Sequence, residues 1–333
     1  MTDRVEQILE FQANVAAQTY DLFTRVEKQM AATHSVLVHQ EVRNILSETR
    51  YKEARRVVQF GWKGQSQFDE DGILEEIFNR IGIKHHKAVE IGAGDGLENN
   101  TIYLLQQGWN CVWVEAMPDR VAFIRDKFKD AETLSIVEKT VQPNTVNDLI
   151  DHADEIDLWT LDIDGNDYWV FEAFDASKNT PRVIMLEYNA KFKPPMEWAK
   201  GYDPEHKFDK SDYMGASLQS LTRLADEKGY ALVGCGITGA NAYYVRKDLL
   251  GNRPSKHLFK EPYTAVNHYE PGRYWLARGY YSGMPQNSFG KQDIIMGKVL
   301  YISCEDDLDV IQLCEKLLAN TVIEKYEIVE IYT

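Results

Sequence analysis

A strand-like run, Ala88-Val-Glu-Ile91, leads into three glycines at alternate positions, Gly92, Gly94 and Gly96, with Glu90 two residues ahead of the first. Glycine lets the backbone turn sharply and approach a ligand closely. The run from Leu97 to Gly108 reads as a short helix whose first amides are free to meet an anionic group. A second acid, Glu115, ends the apolar run Cys111-Val-Trp-Val-Glu-Ala116, 25 residues past Glu90. That is close to the offset at which an acid takes ribose hydroxyls in nucleotide-binding α/β sheets. The turn departs from the dinucleotide fingerprint G-x-G-x-x-G, because Leu97 stands where the third glycine belongs, and this argues against NAD as the ligand.

More carboxylates close two later strand-like runs. Asp162 and Asp164 stand at the end of the run Leu158–Ile163, and Glu187 and Asn189 close Val183 to Tyr188. In an open parallel sheet ligands bind at the C-terminal strand ends. An oxygen-rich set there suits Mg²⁺ or Ca²⁺, and a bound cation would orient an acceptor hydroxyl and lower its pKa. The competing use of these groups is local, as helix caps and acceptors for loop amides. Asp164-Gly-Asn-Asp167 lacks the spacing of an EF-hand loop. His206 lies in a long aperiodic stretch after Asn189 and has the pKa range for proton abstraction near neutral pH; a solvated histidine is the other reading. Trp198 and Tyr213 in the same stretch either meet an acceptor or anchor the loop. His85 and His86 precede the first strand, at the wrong end of a sheet for chemistry.

The elements that must position these groups follow from periodicity. Strands are expected at Ala88–Ile91, Cys111–Glu115, Leu134–Val141, Leu158–Ile163, Val183–Tyr188, Ala231–Cys235 and Ala242–Arg246. Helices are expected at Thr101–Gln107, Pro118–Phe128, Thr145–Ala153, Tyr168–Phe174 and Ser217–Lys228. Alternation of this kind builds a mainly parallel sheet covered on both faces. The six residues from Gly236 to Asn241 are too few for a helical crossover, so the last two strands form an antiparallel hairpin. The expected fold is α/β: a Rossmann-like, seven-stranded, mainly parallel sheet with a closing antiparallel hairpin. Helical N-terminal and small α+β C-terminal additions complete it.

Ahead of the sheet, residues 1–57 read as helical, with a second helix over Ser35–Arg56. Their apolar stripe either packs on the body or pairs with another subunit, or else walls the substrate site. Ser66 and Asp69 fit a capping box loosely, before a helix that Gly82 ends. Residues 58–250 form the central domain and 251–333 an addition. Its aromatic stretch lines an acceptor pocket or packs as an irregular cap. A strand at Asp293–Ser303, a helix at Asp306–Leu318 and a last strand at Tyr326–Tyr332 follow.

A net charge of −15 disfavours a nucleic-acid surface. The four cysteines form no C-x-x-C pair, which argues for reduced thiols over a disulfide framework or zinc site. No apolar run reaches membrane-spanning length, and no signal peptide is read at the N-terminus; a cytoplasmic protein is the expectation.

Several blocks together resemble the FkbM-type family of class I S-adenosylmethionine (SAM) methyltransferases. They are Ser66-Gln-Phe-Asp-Glu-Asp-Gly72, Val89 to Gly96, Gly108 to Glu115, Leu161-Asp-Ile-Asp-Gly-Asn-Asp167, Val183 to Asn189, Gly215 to Leu221 and Gly229 to Arg246. The resemblance spans about Ser66 to Leu250. The family's D-x-E-G-x-E pattern is shortened here, with Asp164 and Asp167 in place of both glutamates. The resemblance implies a SAM-dependent O-methyltransferase acting on a saccharide or other small hydroxylated molecule. It implies Glu90, Gly92, Gly94, Gly96, Glu115 and Ala116 as cofactor-binding residues. Asp162 and His206 are the catalytic candidates, and Asp162, Asp164, Glu187 and Asn189 the candidate ligands of Mg²⁺. Two other classes stand beside this one: a non-catalytic SAM-binding or scaffolding protein, and an NAD-linked oxidoreductase.

Overall fold

The computed structural model describes residues 2–150, 156–177, 180–206, 211–251 and 258–279. The strands expected at 293–303 and 326–332, the helix expected at 306–318, Cys304, Cys314 and the aromatics from Tyr280 onward lie outside these residues.

The N-terminal segment is one helix, α1 (Thr2–Ser47), and not two. No Gly or Pro interrupts it, so nothing ends it near Ser35. Two short 3₁₀ turns follow, Thr49–Lys52 and Val57–Phe60, which carry Tyr51, Val57 and Val58 into the core. Helix α2 (Glu70–Ile81) ends at Gly82, whose φ is +74° and whose N–H donates to Phe78 O at 2.8 Å. The capping box expected at Ser66 and Asp69 does not form. Asp69 accepts instead from Ile237 N, and Asp71 accepts from the amides of Gly64, Gln65 and Ser66.

The sheet elements then alternate: β1 (Lys87–Ile91), α3 (Ile102–Gln106), β2 (Asn110–Glu115), α4 (Pro118–Lys127), β3 (Leu134–Glu138), α5 (Val146–Ile150), β4 (Leu158–Leu161), α6 (Asp167–Ala173), β5 (Val183–Glu187), α7 (Leu218–Glu227), β6 (Tyr230–Cys235) and β7 (Asn241–Arg246). The sheet order is β3-β2-β1-β4-β5-β7-β6. The first five strands are parallel, and β7 pairs antiparallel with both β5 and β6. The chain starts at β1, winds outward through β2 and β3, then returns to β4 on the other flank of β1. The winding therefore reverses between β1 and β4, the switch point at whose C-terminal strand ends ligands bind in such sheets. In register, Glu90 lies between Trp113 of β2 and Thr160 of β4.

Each sheet face packs its own core. Trp159, Phe171, Phe174, Leu186 and Leu221 fill one side, and Ile73, Trp113, Met185, Tyr243 and Phe259 the other. Beyond β7, the described part of the C-terminal stretch, 258–279, lies on the body. It includes α8 (Ala265–His268). Phe259 and Leu276 are buried, Tyr188 Oη donates to Glu270 O, and Arg80 donates to Leu258 O. Among the described residues no helix is long and apolar enough to cross a membrane.

Candidate active site

The glycine turn follows β1 directly, and two of its glycines serve different needs. Gly92 has φ +91°, and a Cβ there would lie 1.7 Å from Asp162 O, so the ends of β1 and β4 touch through it. Gly94 has φ +64° and open space where a Cβ would project; its N–H donates to Glu115 Oε2 at 2.9 Å. Gly96 faces inward, where a side chain would meet Trp113.

Glu90 turns away from that open space. Its carboxylate accepts from Asn99 Nδ2, Asn100 N, Thr101 N and Thr101 Oγ1 at 2.6–3.0 Å. It ties the turn to the start of α3, and burial raises its pKa. Glu115 ends β2 with each oxygen fixed by one backbone amide, Gly94 N and Met117 N, at 2.9 Å. Each oxygen keeps a lone pair. Ala116 beside it is exposed.

Across the switch point, one oxygen each from Asp162, Asp164 and Glu187 all lie within 4.8 Å of one another. Asp164 reaches this position with φ +58°, in the left-handed region. Asp167 fixes the loop by accepting from Ile163 N and Gly165 N, both at 2.8 Å; burial pushes its pKa up to about 6. The side chains of Asp162 and Glu187 have neither a hydrogen-bond nor an ion-pair partner among the described residues. Burial raises both pKa values well above the carboxylate range. The charges of Asp167 and Asp164 add to Asp162, and that of Asp162 adds to Glu187.

Asn189 is hydrogen-bonded to the loop after β5 through both ends of its amide. Its amide donates to Asp212 O and Met214 O, and its Oδ1 accepts from Lys191 N. His206 sits against the main chain of the same loop: its Nε2 lies 2.8 Å from Asp164 O, and a Cβ on Gly165 would lie 2.2 Å from its ring. A carbonyl only accepts, so Nε2 carries the proton and Nδ1 is the nitrogen left for other work. Asn166 Nδ2 and Trp169 Nε1 also donate to this excursion, at Asp203 O and Lys200 O. Trp198 stacks on Phe192 at 4.0 Å and meets Tyr213 edge-on, so both aromatics anchor the loop.

Sequence reasoning missed the acids of α2. Glu70 accepts from Phe68 N and from Asn241 Nδ2, both at 2.7 Å, and its charge adds to those raising Asp162. Asp69, buried beside it, has its pKa pushed up to about 8 by desolvation and by Glu70. Three consecutive acids before an apolar helix were the available signal. Tyr274, half exposed, is a further neighbour of Glu187.

No family model and no curated protein matches the chain. Solved structures with a similar fold include a glycopeptide N-methyltransferase complexed with sinefungin, at 11% identity over 55% of this chain and 87% of that one, TM-score 0.34. Others are magnesium protoporphyrin IX methyltransferase from Synechocystis PCC 6803 with bound SAM (15% identity, 63% and 97% covered, TM-score 0.36) and an O-methyltransferase from Bacillus cereus in complex with SAH (16%, 64% and 90%, 0.35). Likeness at this level leaves activity and substrate to be argued from this chain's own residues.

Proposed function

We propose that the chain is a SAM-dependent O-methyltransferase of the FkbM type, acting on a hydroxyl of a saccharide or other small hydroxylated molecule, in the cytoplasm. One observation carries the reading. The strand switch point has an open glycine turn and a strand-end acid on one side, and three convergent carboxylates on the other. The residues fit both groups. The space at Gly94 admits a ligand against bare backbone, and three hard oxygen donors suit Mg²⁺.

When bound, SAM supplies an electrophilic methyl group, and a divalent cation lowers the pKa of the hydroxyl it orients. Glu115 takes the ribose hydroxyls on its remaining lone pairs. Gly94 keeps the approach clear, and Glu90 holds the turn against α3. Asp162, Asp164 and Glu187 hold the cation side. Asp162 receives the acceptor's proton on its carboxylate, a contribution of about 10²–10⁴-fold for a well-placed base. His206 clamps the 164–165 loop and so positions Asp164. Most of the remaining barrier reduction comes from orientation of acceptor and donor.

Calorimetric titration with SAM, SAH and NAD, each with and without Mg²⁺, tests this. SAM and SAH bind and NAD does not. Glu115→Ala weakens SAM roughly tenfold or more, about the 1.4 kcal/mol of a charge-assisted hydrogen bond, and leaves the circular dichroism unchanged. A folded sample that binds neither SAM nor SAH overturns the proposal in favour of a scaffolding protein.

A further inference from the structure

Helix α1 carries large apolar side chains that nothing in the described residues covers. Phe23 and Met30 are 65% and 67% exposed, while the first strongly buried side chain is Val38 at 2%. At 1.5 Å per residue, the stretch before Val38 runs about 50 Å. Among its described side chains, those of the far end meet the body, where Val38 and Ile45 pack with Tyr51, Val58, Ile237 and Leu276.

Among the exposed apolar residues Phe23, Met30 and Leu37 repeat at sevens, and Val15, Leu22 and Val36 at multiples of seven one position ahead of them, with Tyr20 and Val26 between. A seven-residue repeat keeps one apolar seam facing a partner helix. On a helix of 3.6 residues per turn, Asp21, Arg25 and Lys28 fall on the side opposite that seam. Exposed apolar surface of this extent marks an interaction site.

Charge selects the partner. Residues 2–33 hold five acids (Asp3, Glu6, Glu10, Asp21, Glu27) and three bases (Arg4, Arg25, Lys28), a net −2, which leaves −13 of the total −15 to the rest of the chain. With no basic excess, the arm does not fit an anionic lipid surface or a nucleic acid. An uncharged seam matches another uncharged seam, and an identical one is supplied by a second copy. The direction follows from the same charges. Parallel pairing would bring two strongly acidic bodies together at one end. Antiparallel pairing sets them at opposite ends, many times the roughly 8 Å screening length apart. Centred on Phe23, it places Phe23 against its own copy and sets Leu37 far from its own.

We propose that α1 is a dimerisation arm that pairs antiparallel with α1 of a second copy of this chain, about Phe23.

Light scattering on the full chain across micromolar concentrations tests it. The expected mass is twice the 38.4 kDa of one chain, and Phe23→Asp and Met30→Asp halve it with unchanged circular dichroism. A wild-type monomer overturns the proposal, including the case in which residues 280–333 cover the seam themselves. A dimer that survives both substitutions also overturns it. Oxidation of Phe23→Cys and Leu37→Cys, beside the wild-type chain as control, reads the direction. Antiparallel pairing cross-links the first and not the second, and cross-linking of both overturns it.

Discussion

Asp162 and Glu187 are held together at a cost to the fold. Neither has a partner among the described residues, and burial and the charges of neighbouring carboxylates raise both above the carboxylate range. Groups left in that condition are kept for function and not for stability. The metal-free protein should therefore be stabilised by losing one charge. Asp162→Asn and Glu187→Gln are each expected to raise Tm by several degrees, as relief of about 1 kcal/mol or more would do. Both should abolish the upward Tm shift that Mg²⁺ gives the wild type. A Mg²⁺ shift as large in both variants as in the wild type would remove the cation from the site. Residue type and strand-end position made these two acids, the glycines and Glu115 legible in the sequence. Orientation was not legible. Spacing does not say that the four donors at Glu90 consume its carboxylate, nor that Asn189 spends its amide on the loop after β5.

Among elements, the strands were the easiest to read. Fully buried parallel strands are near-continuous apolar runs, so β1, β2, β4 and β5 were placed to within a residue or two of their ends. Strand β3 stops at Glu138, short of the expected Val141, because it lies at the sheet edge and pairs only with β2. The turn before α2 was opaque for another reason. Its acids answer to groups far along the chain, Asp69 to Ile237 and Glu70 to Asn241, and separations of about 170 residues leave no local pattern. This contact has a pH signature. Asp69 holds its proton to about pH 8 in the folded state, while the unfolded group ionises near 3.8. Between those values the native chain binds more protons, so stability falls as pH rises from about 4 to about 8 and levels above. Melting curves from pH 6 to pH 8 should show Tm dropping by several degrees. In Asp69→Asn, which keeps an oxygen for Ile237 N, the drop should be smaller, Asp162 and Glu187 supplying the remainder. An undiminished slope would place the titration elsewhere.

At the scale of the molecule, packing and sequence order part company. The stretch 258–279, past the boundary expected at Leu250, binds the 3₁₀ turn of Thr49–Lys52 across more than 200 residues. Tyr51 Oη donates to Glu270 Oε2 at 2.6 Å, Arg273 pairs with the same carboxylate, and Arg50 takes its other oxygen at 2.9 Å. A charge network this far apart in sequence is invisible until the fold assembles it. The N-terminal helix shows the opposite case: its apolar stripe was legible in the sequence, but its exposure was not. Two changes to one molecule should then have unequal effects. Glu270→Ala strands Arg273 and Tyr51 in a buried setting, a loss on the order of 3–5 kcal/mol, and the melting temperature should fall by more than ten degrees or folding should fail. Deleting residues 2–33 removes a far longer element yet none of the buried core side chains among the described residues. The shortened chain should melt within a few degrees of the parent at low protein concentration. Because a dimer is stabilised by mass action, the parent's Tm should climb with concentration and that of the shortened chain should not. A collapse in stability on removing the arm would mean that the body depends on it, and the division between a folding body and an assembling arm would fail.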